Sequence, residues 1–332
     1  MKHYLFFLFA FIALTMLSCS SAQNRPANHL QQWMTPNGKM KVLTTISMIG
    51  DLVQQVGGEY VDNMTLICGE LDPHSYQLVK GDDEKLAYAE LIFYNGLNLE
   101  HGPSLQRHLK SNSKAIALGD QIQKQDPSLI LRYQGRSDPH IWMDISLWIK
   151  TVPFIVQALS EKDPSHADAY HRNGEALISL MQLAHENILK EMHTIPENHR
   201  YLVTSHDAFN YFARAYLANA EERANQDWQK HVAAPEGLSP ESQLSALDIT
   251  MIINYLQEHD VHVLFPESNV SKDSIKKIVS AGKEKGLSLT IADVRLYADA
   301  MGSPGSEGDT YLKMIKFDAE AIANYLKKNG NS

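Results

Sequence analysis

Three histidines of this chain sit in similar company. Asp72-Pro73-His74 is the first. Asp138-Pro139-His140, running on into Ile141-Trp142-Met143-Asp144, is the second, and Ser205-His206-Asp207 is the third. Imidazole is the commonest metal ligand among side chains, and a ligating ring needs an acceptor on its other nitrogen to fix it. Pro fixes φ just ahead of the first two rings and stiffens the turns that present them. The Asp before each Pro is placed to accept a hydrogen bond and hold that turn. Asp144 and Asp207 are nearby candidates for the acceptor behind a ring. One such tripeptide carries little weight, because the chain has 15 histidines and an isolated His is usually a surface residue or a hydrogen-bonded core residue. Its repetition makes metal ligation the chemistry to look for.

Each of these histidines falls where a strand or loop gives way to a helical pattern, as ligand-bearing loops do in open α/β folds. Lys41–Ile49 is strand-like and follows the Asn37-Gly38 turn signal. Met64–Ile67, Leu91–Tyr94 and Lys114–Leu118 read as further short strands. Alternation of strand and helix patterns argues for parallel βα units. From Ser165 to His193 apolar residues recur at helical spacing, with Asp163 as N-cap, Pro164 at the first position and Pro196 as the stop. About 29 residues at 1.5 Å each make a helix of roughly 43 Å, long enough to join two domains. The α/β rhythm then resumes. Tyr201–Thr204, His262–Phe265 and Leu287–Ala292 read as strands, and Pro240–Gln257, Lys272–Glu284 and Thr310–Lys327 as helices. The predicted fold is α/β: two open α/β lobes, each with a central, mostly parallel sheet, joined by a long linking helix. The boundaries are 39–162 for the first lobe, 163–196 for the linking helix and 197–332 for the second lobe.

The net charge of -9 excludes nucleic acid as a natural partner, because phosphate binding draws on surplus Lys and Arg. At 332 residues, 44% hydrophobic, the chain can bury a core without a metal or disulfide staple. Of its two cysteines, Cys19 lies in a leader and leaves Cys68 without a partner, so no intrachain disulfide is expected. Lys2 and the apolar run Tyr4–Met16 have the form of a signal peptide over residues 1–18, too short to span a bilayer. Met16-Leu17-Ser18-Cys19 resembles a bacterial lipobox, which implies lipidation of Cys19, with residues 19–38 as a flexible tether.

From about Lys39 to its C-terminus the chain resembles the zinc/manganese class of solute-binding lipoproteins of ABC importers. Asp72-Pro73-His74-Ser75-Tyr76 is similar to that family's first ligand motif, and Asp138–Asp144 to its second, Asp-Pro-His-x-Trp-x-Asp. Val203–Phe212 matches the third, and Asp299-Ala300-Met301-Gly302 the fourth, an Asp before a small-residue loop. Gly237–Glu241 matches a family helix start. The resemblance implies that His74, His140, His206 and Asp299 ligate the metal, the first two from the N-terminal lobe and the last two from the C-terminal lobe. Metal in the cleft would tie the lobes together. Release would follow docking to an ABC permease, and a stiff linking helix implies small movements. The implied protein is exported, lipid-anchored at the periplasmic or cell-surface side, and monomeric. The chain lacks the His- and acid-rich loop that zinc receptors of the family often carry. It also has extra polar sequence near Asn219–Ala234, in which His231 is expected to be an exposed loop residue.

Three imidazoles and a carboxylate suit four-coordinate Zn²⁺. Two-oxygen binding by Asp299 also admits five-coordinate Mn²⁺, which stands lower in the affinity series. Some family members that favour manganese carry Glu at the third position, so His206 tilts the expectation to zinc. Two rival functions stand beside this one. A zinc hydrolase would keep a coordination position open for water, and the chain has no His-Glu-x-x-His. A surface adhesin or structural lipoprotein is the other, with no residue pattern of its own.

Overall fold

The Asn37-Gly38 turn, with Gly38 at φ +76°, delivers the chain into its first strand. The computed structural model describes residues 29–240 and 244–328. The segment expected to be a leader, with Cys19, lies outside them. His29–Met34 is a short helix within the segment read as tether, and belongs to a unit that ends at Pro36. The body starts at Asn37.

Its first half holds β1 (Met40–Ile46), β2 (Val61–Ile67), β3 (Leu91–Tyr94) and β4 (Ala115–Ala117), in the order β2-β1-β3-β4. All three pairings are parallel. Every residue of the central β1 is buried, as expected of a parallel strand covered on both faces. The strand predicted to reach Ile49 turns helical at Ser47 instead. Met48, Ile49, Leu52, Val53 and Val56 recur at helical spacing and are buried in the helix Ser47–Gly57. Likewise Leu118 opens the helix Leu118–Gln125 rather than ending β4. An antiparallel hairpin follows, β5 (Arg132–Tyr133) and β6 (Arg136–Ser137), turned by Gln134 and Gly135 at φ +49° and +78°.

The second half holds β7 (Leu202–Val203), β8 (Val232–Ala233), β9 (Val263–Leu264) and β10 (Thr290–Ile291). They form two parallel pairs, β7-β8 and β9-β10. The Phe265 amide donates to the Val203 carbonyl at 2.8 Å and joins the pairs. Read across, the order is β8-β7-β9-β10: second, first, third, fourth, as in the first half. The helix expected from Pro240 starts at Ala246 and runs to Glu258. Ser245 and Asp248 cap each other's backbone and fix that start. Glu241, part of the expected helix start, lies outside the described residues.

The segment near 219–234 is not an exposed loop. It forms a helix, Ala220–Asn225, a 3₁₀ turn, Asp227–His231, and β8. His231 is buried, with Nδ1 2.7 Å from the Arg200 carbonyl and Nε2 2.9 Å from Glu222. A buried ring is retained here because both of its nitrogens find partners.

The long helix spans Ala167–Met192, preceded by a 3₁₀ turn at Pro164–His166. Asp163 holds this start through side chains rather than by a backbone cap, accepting from Tyr170 Oη at 2.8 Å and facing His166 Nδ1 at 2.6 Å. A Cβ at Gly174 would meet Val156 Cγ2 at 2.5 Å, so glycine there lets the helix Val152–Lys162 pack closely. The long helix also packs against Ser47–Gly57 and against the last helix, Tyr311–Lys328. One hydrophobic core therefore runs through both halves, from Val42, Ile46 and Phe93 through Leu177, Met181 and Met192 to Met314, Ile315 and Ile322. Each such side chain contributes about 1.5–3 kcal/mol on full burial. A second cluster, including Val203, Ile253, Leu264, Ile275 and Ile278, covers the other face of the C-terminal sheet.

Candidate metal centre

All four predicted ligands stand in loops that follow strands. His74 comes after β2, His140 after the β5–β6 hairpin, His206 after β7 and Asp299 after β10. Two donors thus come from each half. Their donor atoms all lie within 4.8 Å of one another, and all four side chains are buried. His74 Nε2 is 3.2 Å from His140 Nε2 and 3.5 Å from Asp299 Oδ2. His140 Nε2 is 3.4 Å from Asp299 Oδ1, and His206 Nε2 is 3.1 Å from Asp299 Oδ2. Donors placed tetrahedrally at zinc's usual bond lengths would be about 3.3–3.4 Å apart. The cluster has the size of one small cation's coordination shell.

The polar atoms point the same way. His206 Nε2 and Asp299 Oδ1 are buried and have no hydrogen-bond partner. His206 Nε2 is close to Asp299 Oδ2 but not along a hydrogen-bond direction. Buried polar atoms are satisfied in the great majority of cases, so two orphans in one cluster mark the place of a ligand. A cation bonded to both would satisfy them.

Behind the rings stand carboxylates. His140 Nδ1 donates to Asp138 Oδ1 at 2.8 Å, and His206 Nδ1 donates to Glu267 Oε2. A carboxylate can only accept, so Nδ1 carries a proton in both rings and Nε2 is the nitrogen presented to the centre. Asp72 and Asp138 also accept the amides of His74 and His140 at 2.9 and 3.0 Å, which is the turn-holding role expected of them. Glu267 accepts the Ser205 and His206 amides at 2.8 and 3.0 Å. Asn269 Nδ2 donates to Asp299 Oδ2 at 3.2 Å.

The expected roles of Asp144 and Asp207 are corrected here. Asp144 caps the short helix Ile145–Trp148 by accepting from the Ser146 and Leu147 amides. Asp207 bonds neither ring. Burial, with Asp138 next in weight, pushes its carboxyl up to about 7. Asp138 had a signal in the motif itself. Glu267 had only its place just past β9, at a strand's carboxyl end.

Electrostatics prepare the centre for a cation. Burial favours a neutral Asp299, but the three histidines outweigh it and hold the carboxyl well below its usual range. Burial likewise disfavours a charged His206, but Glu267 and Asp299 hold its ring well above its ordinary value. A metal ion bound at Nε2 displaces the proton held there.

Residues 42–325 match the family described as zinc-uptake complex component A, periplasmic. The chain is 41% identical over 288 residues to the metal-binding protein YtgA of Chlamydia muridarum, covering 87% of this chain and 86% of that protein. It is 34% identical over 322 residues to the manganese-binding lipoprotein MntA of Bacillus subtilis, covering 96% and 97%. Among solved structures, the crystal structure of Fe(III)-bound YtgA from Chlamydia trachomatis superposes with a TM-score of 0.82 at 37% identity, over 87% of this chain and 98% of that one.

Proposed function

The chain belongs to the family of zinc-uptake complex component A, and on that premise we propose that it captures a transition-metal ion outside the cytoplasm and delivers it to an ABC permease. The observation that carries this reading is the buried cluster of His74, His140, His206 and Asp299, in which two polar atoms, His206 Nε2 and Asp299 Oδ1, have no hydrogen-bond partner. These four residues are the proposed ligands. Four protein donors fill a four-coordinate shell and leave no position for a reacting water, which favours a receptor over a hydrolase.

Zinc is the proposed cargo, since three neutral imidazoles and one carboxylate are borderline donors and their spacing fits its bond lengths. Iron is a second reading, favoured by the likeness to an Fe(III)-bound protein. Manganese is the third, favoured by the likeness to MntA. The proposed address is the membrane surface, through a lipid on Cys19, with the mature chain a monomer bound to its permease. The name of the Bacillus relative, a lipoprotein, supports that anchor.

A soluble form beginning after Cys19, stripped of metal, tests the reading by calorimetric titration with Zn²⁺, Mn²⁺ and Fe³⁺ chelate, with melting temperature alongside. One-to-one binding with a rise in melting temperature is the expected result. No binding of any of the three ions removes the receptor reading and leaves the adhesin.

A further inference from the structure

The four donors are not held alike. The rings of His140 and His206 are each tied to a carboxylate, Asp138 and Glu267. What Asp72 holds, by contrast, is the backbone amide of His74. The ties between the halves are as uneven. Around His140 and Asp299 two are buried and one part-buried: Trp142 Nε1 donates to the Ala298 carbonyl at 2.8 Å and Tyr211 Oη to the Asp138 carbonyl at 3.0 Å, both buried, and Asn210 Nδ2 donates to Asp138 Oδ2 at 3.0 Å. Beside the His74 loop the tie is an exposed ion pair, Glu70 with Arg295 at 3.3 Å. Exposed pairs of this kind contribute little.

A cavity of about 930 Å³ opens beside the His74 loop, with Ser137 and Pro139 of the His140 loop also in its wall. His74 is the one proposed ligand that lines it, and its walls come from both halves, including His101, Arg136 and Ser239. The ring of His101 lies 5.7 Å from that of His74, centre to centre, is half-buried, and lines the cavity beside it. The two loops are bonded to each other: the Leu78 amide donates to Ser104 Oγ at 2.9 Å, and Ser104 Oγ donates to Gln77 Oε1 at 2.8 Å. A Cβ at Gly102 would run into the Tyr76 carbonyl. Movement of the His74 loop therefore carries the His101 loop with it.

We infer that metal enters and leaves through this cavity, and that His101 is a transit ligand that holds the ion together with His74 while the other three donors form or break their bonds. The inference rests on the proposed receptor function. On release one metal–imidazole bond, to His101, forms while those to His140 and His206 and the Asp299 carboxylate bond break, and water takes the positions they leave; uptake runs the same steps in reverse. The ion never has to leave the centre as a bare cation.

The test compares wild type, His101→Phe and His101→Ala, with Zn²⁺ alone as probe. Uptake and loss to a fluorescent chelator are followed by stopped flow. Both variants should slow uptake and loss together by about tenfold, the effect of one lost donor on the exchange barrier. Phe keeps the ring's bulk and Ala opens the path, so a purely steric passage gives unchanged rates for Phe and faster rates for Ala, which overturns the inference. Unchanged rates in both variants also overturn it, as does faster loss with unchanged uptake, which would make His101 a ligand of the final site. A wild type that takes up no metal overturns the receptor reading and this inference with it, a result distinct from wild-type uptake with unaltered variants.

Discussion

The two halves share a strand order and differ in what holds it. The first half relies on its ladder: β1 and β2 have seven residues each and pair along nearly their whole length. The second half has strands of two residues each, and side chains take over where the ladder stops. There a single carboxylate, Glu267, accepts two consecutive amides and the ring of His206. In the first half Asp138 performs the smaller version of this task for His140. A ligand can thus be aimed by a stiff sheet with a local turn behind it, or by a buried acid that replaces the missing ladder. The second device concentrates geometry and stability in one side chain.

Asp299→Ala should produce the largest change, a loss of metal affinity of about 100-fold or more, since it removes the one carboxylate among the four proposed donors. Its metal-free melting temperature should stay close to that of wild type. A variant that bound zinc as wild type does would break the proposed ligand set. The comparison of the halves is sharpened by Glu267→Gln against Asp138→Asn, each expected to weaken binding by about 10–100-fold. Only Glu267→Gln should also lower the metal-free melting temperature markedly, because Gln has one acceptor oxygen where Glu267 uses two, Oε1 for the backbone amides and Oε2 for the ring, whereas Asp138 serves the His140 amide and ring through Oδ1 alone. Equal melting temperatures for the two would show that the halves are held alike after all.

Trp142→Phe comes next. It keeps an aromatic ring against His140 but leaves the Ala298 carbonyl unpaired, at a cost of about 1–3 kcal/mol, or several degrees in melting temperature. The smallest effect is assigned to Asp163→Asn. Burial works against ionisation of Asp163, but Ser165, His166 and Tyr170 outweigh it and bring its carboxyl to about 2. A depressed folded value stabilises the fold above the ordinary carboxyl range and loses that contribution as pH falls from about 4 to about 2. Acid melts of wild type and variant should therefore differ at pH 5 by about 1–3 °C and converge near pH 2.

Much of this was legible in the residues. Leu91–Phe93 is a run of buried side chains ending at the half-buried Tyr94, and this strand was bounded correctly. Strand ends such as Ile46 and Ala117 were not, because the apolar pattern continues unbroken into the following helix and only its period changes. The proposed donors His74, His140, His206 and Asp299 were each marked by a local motif. Glu267 was missed because its partner is 61 residues away in sequence, and no spacing rule reaches that far. His231 was misplaced because a histidine among polar residues reads as surface, while burial here comes from Arg200 and Glu222, brought in by tertiary packing.

The last helix carries a consequence for how the chain comes into being. Tyr311 donates its backbone amide to Asp51 at 3.1 Å, across 260 residues, and its hydroxyl to the Trp142 carbonyl at 2.7 Å. The first half therefore cannot complete its own core until nearly the whole polypeptide is available. Closing so large a loop is slow, which keeps the early chain open. A core shared over such a separation should form in one cooperative step, with the first half unable to fold ahead of the helix that completes it.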